Sequence, residues 1–180
     1  ILFFIFFFFL EIGPGTGAVT RSIVKLLRPQ DCFDLVELNE AFANLLNQRF
    51  DSHPHYQRVR EQANVHVLPL QEFETEAPYD FIISGLPLNN FSSDLVSEIF
   101  ESYFELLAPA GTLSYFEYMY VRSIRKHVGR HQEKLRMRTL DEIITPYLKQ
   151  HRVYQSWVLI NLPPAWVQHL QIAEQTAEMA

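Results

Sequence analysis

The feature that most constrains the fold of this chain is a glycine-rich turn between an apolar run and a helical stretch. Residues 11–17 read Glu-Ile-Gly-Pro-Gly-Thr-Gly. Three glycines in five residues let the backbone turn sharply and approach a ligand without a Cβ clash. The sequence therefore predicts a ligand-binding loop between a strand and a helix, with a purely structural turn as the alternative.

The apolar run before this turn spans residues 1–10 and is rich in phenylalanine. It is too short for a membrane-spanning helix, which needs about 20 apolar residues. It also lacks the basic and small flanking residues of a secretory signal. Its second half predicts a central strand that is buried on both faces, where alternation of apolar and polar residues is not expected.

Strand-like and helix-like segments alternate along the rest of the chain. Helices are predicted at 16–27, 41–50, 93–107 and 121–138, with a further helix up to 149. Further strands are predicted at 32–38, 65–68, 79–84, 112–119 and 153–161. Because parallel strands joined by helices require right-handed crossovers, this order predicts an α/β fold. We expect a Rossmann-like, mainly parallel, doubly wound sheet with helices on both faces.

Length and composition fit one globular domain, predicted to span residues 1–180. The chain has 180 residues, of which 48% are hydrophobic and 20% charged, so a disordered or fibrous protein is excluded. Its single cysteine, Cys32, cannot form an internal disulfide, which favours a reducing compartment such as the cytoplasm. The net charge of −6 argues against a protein that coats nucleic acid.

An acidic residue follows the glycine turn at the spacing that is typical of nucleotide-binding folds. Glu37 stands twenty residues after Gly17, at the end of the second predicted strand. Doubly wound folds place there an acid that accepts hydrogen bonds from ribose hydroxyls. The turn and the acid together predict a nucleoside cofactor. The nicotinamide fingerprint is G-x-G-x-x-G, and the third glycine comes too early here to match it.

The turn resembles the first motif of class I S-adenosylmethionine-dependent methyltransferases, and residues 36–39 resemble their second motif. This resemblance implies that S-adenosylmethionine is the cofactor and that Glu11 organises its methionine end. It also implies that the glycines pass their backbone close to the cofactor and that Glu37 holds its ribose. The cofactor-binding residues expected from the resemblance are Glu11, Gly13, Pro14, Gly15, Thr16, Gly17, Glu37, Leu38 and Gly85. The family's usual acid after the third strand is missing, and Gln71 or Glu72 is the candidate substitute at the adenine.

The loop after the fourth predicted strand lies where open α/β sheets bind ligands. It contains Ser84-Gly85-Leu86-Pro87 and Asn89-Asn90-Phe91. Together with Glu117-Tyr118 and residues 161–167, this loop resembles bacterial phospholipid N-methyltransferases, which convert phosphatidylethanolamine to phosphatidylcholine. The alternative is an RNA methyltransferase similar to the rRNA adenine N6-dimethyltransferases. The amide and the aromatic ring with which those enzymes hold a base are absent from this loop, which counts against that alternative.

Methyl transfer to an amine needs alignment, exclusion of water and a proton acceptor, but neither a metal nor a covalent nucleophile. The predicted catalytic residues are Asn89, Asn90, Glu117 and Tyr118. The asparagine oxygens could receive the ammonium, and Glu117, Tyr118 or Tyr120 could take its proton. Phe91 or Tyr118 could hold the methylated cation by cation–π attraction. The histidines are scattered, so no metal site is predicted.

Residues 122–138 reverse the acidic character of the chain, with seven lysines and arginines and one opposing acid, Glu133. As a helix, the segment would place Val121, Ile124, Val128 and Leu135 in one apolar stripe among cations. This pattern predicts contact with an anionic membrane surface. A solvated helix face and attraction to RNA phosphates are the alternatives.

These patterns predict a cytoplasmic, peripherally membrane-associated enzyme with a phospholipid substrate. Nucleic acid is not expected as a partner, and no stable protein partner is inferred. Family members carry an amphipathic helix before the glycine motif, and that N-terminal helix is expected to be missing here. A catalytically inactive membrane-binding remnant is the hypothesis from another class of protein.

Overall fold

The computed structural model describes residues 6–118, 131–158 and 165–172. These residues form seven strands: β1 (Phe8–Ile12), β2 (Cys32–Val36), β3 (Ala63–His66), β4 (Tyr79–Ser84), β5 (Leu107–Tyr118), β6 (Arg152–Val158) and β7 (Ala165–Gln171). Their α-helices are α1 (Thr20–Leu26), α2 (Glu40–Ser52), α3 (Pro54–Gln57), α4 (Ser93–Leu106) and α5 (His131–His151). Short 3₁₀ turns occupy Arg60–Gln62, Leu70–Glu72 and Leu88–Asn90. No helix in this part of the chain is both long and apolar enough to span a membrane.

The seven strands form one sheet in the order β3-β2-β1-β4-β5-β7-β6. The first five strands in this order are parallel to one another, and β7 runs antiparallel to both β5 and β6. The predicted α/β, mainly parallel, Rossmann-like sheet is therefore confirmed. Strand β7 was not predicted, because its place beside β5 depends on pairing with a segment that lies far away in the sequence.

The strand register aligns the carboxyl ends of the central strands. Ile12, the last residue of β1, pairs with Val36 of β2 and with Ser84 of β4. Ser84 pairs in turn with Tyr115 of β5. The loops that follow β1, β2 and β4 consequently meet at one edge of the sheet, where a ligand can contact several of them at once.

Two apolar clusters cover the two faces of the sheet. On one face, Leu10 and Ile82 pack with Phe100 of α4 and Leu140 of α5. On the other, Phe33 and Leu35 pack with Val24 of α1 and with Leu46 and Phe50 of α2. The helices therefore lie on both faces, as predicted, and the sheet edge where the loops meet is held from both sides.

The first helix is shorter than predicted. It begins at Thr20 rather than at residue 16, because Gly15 and Gly17 adopt left-handed backbone conformations that a right-handed helix does not contain. The helical spacing of Val19, Ile23, Leu26 and Leu27 predicts that this apolar set is buried, which is partly wrong. Ile23 is buried as expected, but Val19 is 44% exposed and Leu26 is 80% exposed.

The observed bounds of β5 and α5 also differ from the predicted ones. Strand β5 begins at Leu107, whereas the sequence predicted a strand start at residue 112 after a proline-glycine stop. A register irregularity between Tyr79 and Phe81 in the pairing with β4 accommodates this longer strand. The two helices predicted up to residue 149 are one continuous helix from His131 to His151, with Pro146 inside it. Residues 121–130 of the predicted basic helix lie outside the described part of the chain.

Candidate active site

The glycine turn adopts a conformation that other residues rarely reach. Gly13, Gly15 and Gly17 have φ angles of 65°, 55° and 75°. The amide of Gly13 donates to the carbonyl of Val36 at 2.9 Å, and the amide of Gly17 donates to the carbonyl of Pro14 at 2.9 Å. A Cβ built on Gly15 would meet nothing within 4 Å. The turn is therefore anchored at both ends, and its middle faces open space.

The loops after β1 and β4 approach each other backbone to backbone. The amide of Gly85 donates to the carbonyl of Ile12 at 2.7 Å. A Cβ on Gly85 would lie 2.6 Å from the carbonyl oxygen of Gly13, and a Cβ on Gly13 would lie 2.7 Å from Cδ2 of Leu86. Only glycine fits such an approach at Gly85 without displacing the backbone. The resemblance predicted Gly85 as a site residue, and close packing of the two loops is what requires a glycine there.

Glu37 is buried and joins the turn to the second strand. One carboxylate oxygen, Oε2, accepts the amide proton of Gly15 at 2.9 Å, and Oε1 accepts that of Asn39 at 2.8 Å. Asn39 in turn caps α2 by accepting from the amide of Ala41 at 2.9 Å. Each carboxylate oxygen can accept a second hydrogen bond. The predicted pairing of loop and acid is thus present in space, and its role toward a ribose stays a prediction.

Glu11 lies on the central strand β1 and is more deeply buried than Glu37. It is 2% exposed, and its Oε2 has no hydrogen-bond partner among the described residues. Burial raises the pKa of Glu11 to about 7, and the nearby negative charge of Glu37 adds to the rise. A buried carboxylate oxygen without a hydrogen-bond donor destabilises the folded protein. A cationic group on a bound ligand would therefore interact favourably with Glu11.

A cleft of about 210 Å³ opens beside these groups. Its walls come from the ends of β1 and β2, the turn after β3 and the loop after β4, and they are mostly apolar. Glu37 and Gln71 supply polar side chains among the lining residues. Of the two candidate substitutes for the missing adenine contact, only Gln71 lines this cleft. The apolar walls include Leu38, Leu68, Leu70, Leu86, Phe91 and Leu95.

The loop after β4 is held by the hydrogen bonds of two side chains, those of Ser84 and Arg136. The hydroxyl of Ser84 hydrogen-bonds the buried hydroxyl of Tyr103 in α4, and it also accepts the amide proton of Leu86 at 3.3 Å. Arg136 of α5 donates to the carbonyl of Phe91 at 2.7 Å and to that of Asn89 at 3.1 Å. Arg136 is one of the cations of residues 122–138 that were predicted to contact a membrane, whereas its guanidinium reaches inward to this loop.

The predicted catalytic residues lie at the same edge of the sheet. Asn89 and Asn90 form the 3₁₀ turn after β4. Glu117 is 9% exposed near the end of β5, where its backbone pairs with Trp166 of β7. Tyr118 ends the same strand, opposite Ala165. Its side chain, like Tyr120 as a whole, lies outside what the structure describes.

Only part of the predicted membrane-binding segment can be placed. Residues 119–130 lie outside the described residues, and they include Val121, Ile124 and Val128 of the predicted apolar stripe. Residues 159–164, which include part of the C-terminal resemblance, also lie outside the described residues. Leu135 is 60% exposed, and Arg138 is exposed on the same helix. Within the described ranges, no group of three or more histidine, cysteine or acidic side chains is arranged to hold a metal ion.

Comparison with known proteins gives a family match and a relative. Residues 10–113 match the sequence family described as a methyltransferase domain. An ornithine lipid N-methyltransferase from Singulisphaera acidiphila is 32% identical over 104 residues, which cover 58% of this chain and 54% of that protein. The chain therefore matches about half the length of this relative.

Solved structures share the fold at low sequence identity. N-methyltransferase NodS from Bradyrhizobium japonicum WM9 superposes with a TM-score of 0.68 at 15% identity, covering 93% of this chain and 86% of that one. The O-methyltransferase TomG from Streptomyces achromogenes, solved in complex with S-adenosylmethionine, gives 0.66 at 14% identity, covering 92% and 73%. These likenesses place the sheet and helices in the methyltransferase fold.

Proposed function

Because this chain belongs to the methyltransferase domain family that its residues 10–113 match, we propose that it methylates an amine with S-adenosylmethionine as the cofactor. The amine is that of a membrane lipid headgroup. The observation that carries the cofactor proposal is the pair of carboxylates at the ends of β1 and β2. One of them, Glu11, keeps a buried oxygen without a donor, and the other, Glu37, is fixed against the glycine turn.

The residues at this edge fit such a cofactor. S-adenosylmethionine, when bound, supplies a methyl group that is already activated on a sulfonium centre. Glu11 would accept a hydrogen bond from its ammonium group, and the backbone from Gly13 to Gly17 would line its amino-acid end. Glu37 has lone pairs left for ribose hydroxyls. Leu38 and Gln71 would contact the base in the apolar cleft.

A lipid amine is the acceptor that the loop and the relative support. The loop from Ser84 to Phe91 supports phosphatidylethanolamine, through its resemblance to phospholipid N-methyltransferases. The relative named above supports an ornithine lipid. Both headgroups carry an amine that is protonated at neutral pH, so a proton must leave before the nitrogen can accept a methyl group. Glu117, buried at the end of β5, is our candidate to take that proton.

Such an enzyme would work from the cytoplasmic surface of a membrane. The cations of residues 122–138 and the substrate both favour peripheral association with an anionic bilayer. Arg136 contributes differently, because it holds the loop after β4, which we call the acceptor loop, rather than facing a bilayer.

The test uses labelled S-adenosylmethionine with three acceptors: phosphatidylethanolamine vesicles, ornithine lipid vesicles and RNA. We expect label in at least one lipid fraction. Label in RNA alone would favour the base methyltransferase, and absence of cofactor binding by calorimetry would favour an inactive remnant.

We expect Glu37→Gln to weaken cofactor binding about 10- to 100-fold, which is the usual contribution of a hydrogen bond to a charged group. Glu40→Gln, an equal charge change on the exposed start of α2, is the matched control. Equal affinities in the two variants would contradict the assigned pocket.

A further inference from the structure

A cationic groove lies outside the site described above. It runs between α1, the end of α2 and α3 and has a volume of about 570 Å³. Arg21 and Lys25 of α1, Arg49 of α2, and His53 and His55 line it. No carboxylate is among the described residues of its walls. In a chain with a net charge of −6, this groove is a concentrated region of the opposite sign.

Two of these cations have nothing to neutralise them. Arg21 and Lys25 are exposed, and neither forms a hydrogen bond or ion pair with another described residue. The nearest acid along α2, Asp51, is paired with Arg60 at 2.9 Å. Arg49 differs, because its guanidinium donates to the carbonyl of Thr16 in the glycine turn. The groove therefore presents two available cations beside a third that is fixed.

Apolar side chains are exposed on the other flank of α1, outside the lining of the groove. Leu26, next to Lys25, is 80% exposed, and Val19 is 44% exposed. Val19, which caps α1, and Leu26 are seven residues apart and share one side of the helix, about 100° or more around its axis from Arg21 and Lys25. An exposed helix face with cations on one flank and apolar groups on the other is suited to the interface of an anionic bilayer, where the cations meet phosphates and the apolar groups enter the headgroup region. A site for a free anion needs the cations and has no use for Leu26.

We propose that this groove is a contact site for the phosphate-bearing headgroups of an anionic bilayer. Arg21 and Lys25 bind the phosphates, and Leu26 enters among the lipids. This inference rests on the proposed function, which requires access to a lipid. Thr16 and Gly17 form one end of the groove. Docking there therefore places the carboxyl edge of the sheet close to the membrane, in addition to any contact made by residues 122–138.

The test measures co-sedimentation of the full chain with vesicles containing phosphatidylglycerol. We expect the double variant Arg21→Gln/Lys25→Gln to bind about 25-fold more weakly, at roughly fivefold per lost cation. Lys149→Gln/Arg152→Gln, an equal charge change at exposed residues of α5 and β6, is the matched control and should lose little. Leu26→Gln should weaken binding several-fold, with Val153→Gln, another exposed apolar site, as its control. Arg49 is left unchanged because it contacts the glycine turn.

Three results would overturn the proposal. One is equal losses in the groove and control variants. Another is unchanged vesicle binding by the double variant together with loss of a thermal shift caused by inorganic phosphate, which would make the groove a free-anion site. The third is unchanged vesicle binding with weakened binding of an RNA oligonucleotide. Cofactor binding by calorimetry should be the same in all variants. Vesicle binding through the groove without any lipid methylation would contradict the proposed function and leave the groove assignment intact.

Discussion

At the residue scale, Glu11 and Glu37 show how the surroundings divide two similar side chains. Both are buried acids at the ends of neighbouring strands. Glu37 accepts two backbone hydrogen bonds, whereas Glu11 retains an oxygen with no donor among the described residues. Desolvation penalises the charged form and outweighs the opposing effect of the Thr20 hydroxyl and amide, which is why burial raises the pKa of Glu11 to about 7. Glu11 is therefore a costly residue for the ligand-free protein.

This cost predicts a specific dependence of stability on pH. The folded protein keeps the Glu11 proton up to about pH 7, whereas the unfolded chain releases it near 4.5. The unfolded state binds fewer protons across that window, so the free energy of unfolding falls as pH rises from 4.5 to 7. Glu11→Gln removes this titration. We expect its stability relative to the wild type to rise by about 3 kcal/mol between pH 4.5 and 8, measured by urea unfolding. Parallel pH profiles for the two proteins would contradict this expectation.

At the scale of elements, α5 and the loop after β4 form a unit. Arg136 reaches two carbonyls of that loop, and the planar guanidinium can satisfy both at once. Tyr103 of α4 holds the start of the same loop through Ser84. A loop tied to two helices is held in one conformation, which is what alignment of an acceptor amine requires.

Arg136 is therefore a positioning residue for the proposed reaction. We expect Arg136→Gln to raise the KM for the lipid acceptor about tenfold or more, with a smaller effect on cofactor affinity, because loop geometry rather than the cofactor pocket is disturbed. Arg136→Lys should recover only part of the loss, since a lysine cannot donate in the same planar geometry. Arg138→Gln, on an exposed part of the same helix, is the control. A change in cofactor affinity as large as the change in KM would argue for a general structural role.

At the scale of the whole molecule, one core connects the first strand to the last. Leu10 of β1 and Leu170 of β7 are both fully buried and belong to the same apolar cluster. The second cluster shares the sheet with it, on the opposite face. The antiparallel strands β6 and β7 are thus integrated into the fold, and we expect the chain to unfold in one transition.

The two tryptophans provide the probe for this expectation. Trp157 lies in β6 and Trp166 in β7, so fluorescence reports the antiparallel end of the sheet, while far-ultraviolet circular dichroism reports the whole chain. The two urea unfolding curves should coincide. Leu170→Ala should shift both together, by about 2–5 kcal/mol for a large-to-small change in a core. Fluorescence that changes at lower urea concentration than the dichroism would show that β6 and β7 unfold separately.

Several features of the site could be read from local sequence. The glycines of residues 13–17 indicated a sharp turn with close backbone approach, and Glu37 fell at the end of a strand one crossover later, so their proximity followed from the βαβ order. Burial along α1 was predicted less well. Val19 and Leu26 match a helical stripe, yet they are exposed because the helix begins four residues late and buries only its Ile23 side.

The sequence by itself determined the parallel βαβ frame, the glycine turn and the acid that meets it, because these depend on backbone conformations and periodicities set by neighbouring residues. Only the tertiary structure decided that β7 inserts between β5 and β6, that Arg136 turns inward to the acceptor loop, and that Arg21, Lys25 and Arg49 share one groove. These arrangements join residues tens of positions apart. Their partners are chosen by which surfaces meet when the chain packs, and no local pattern encodes that choice.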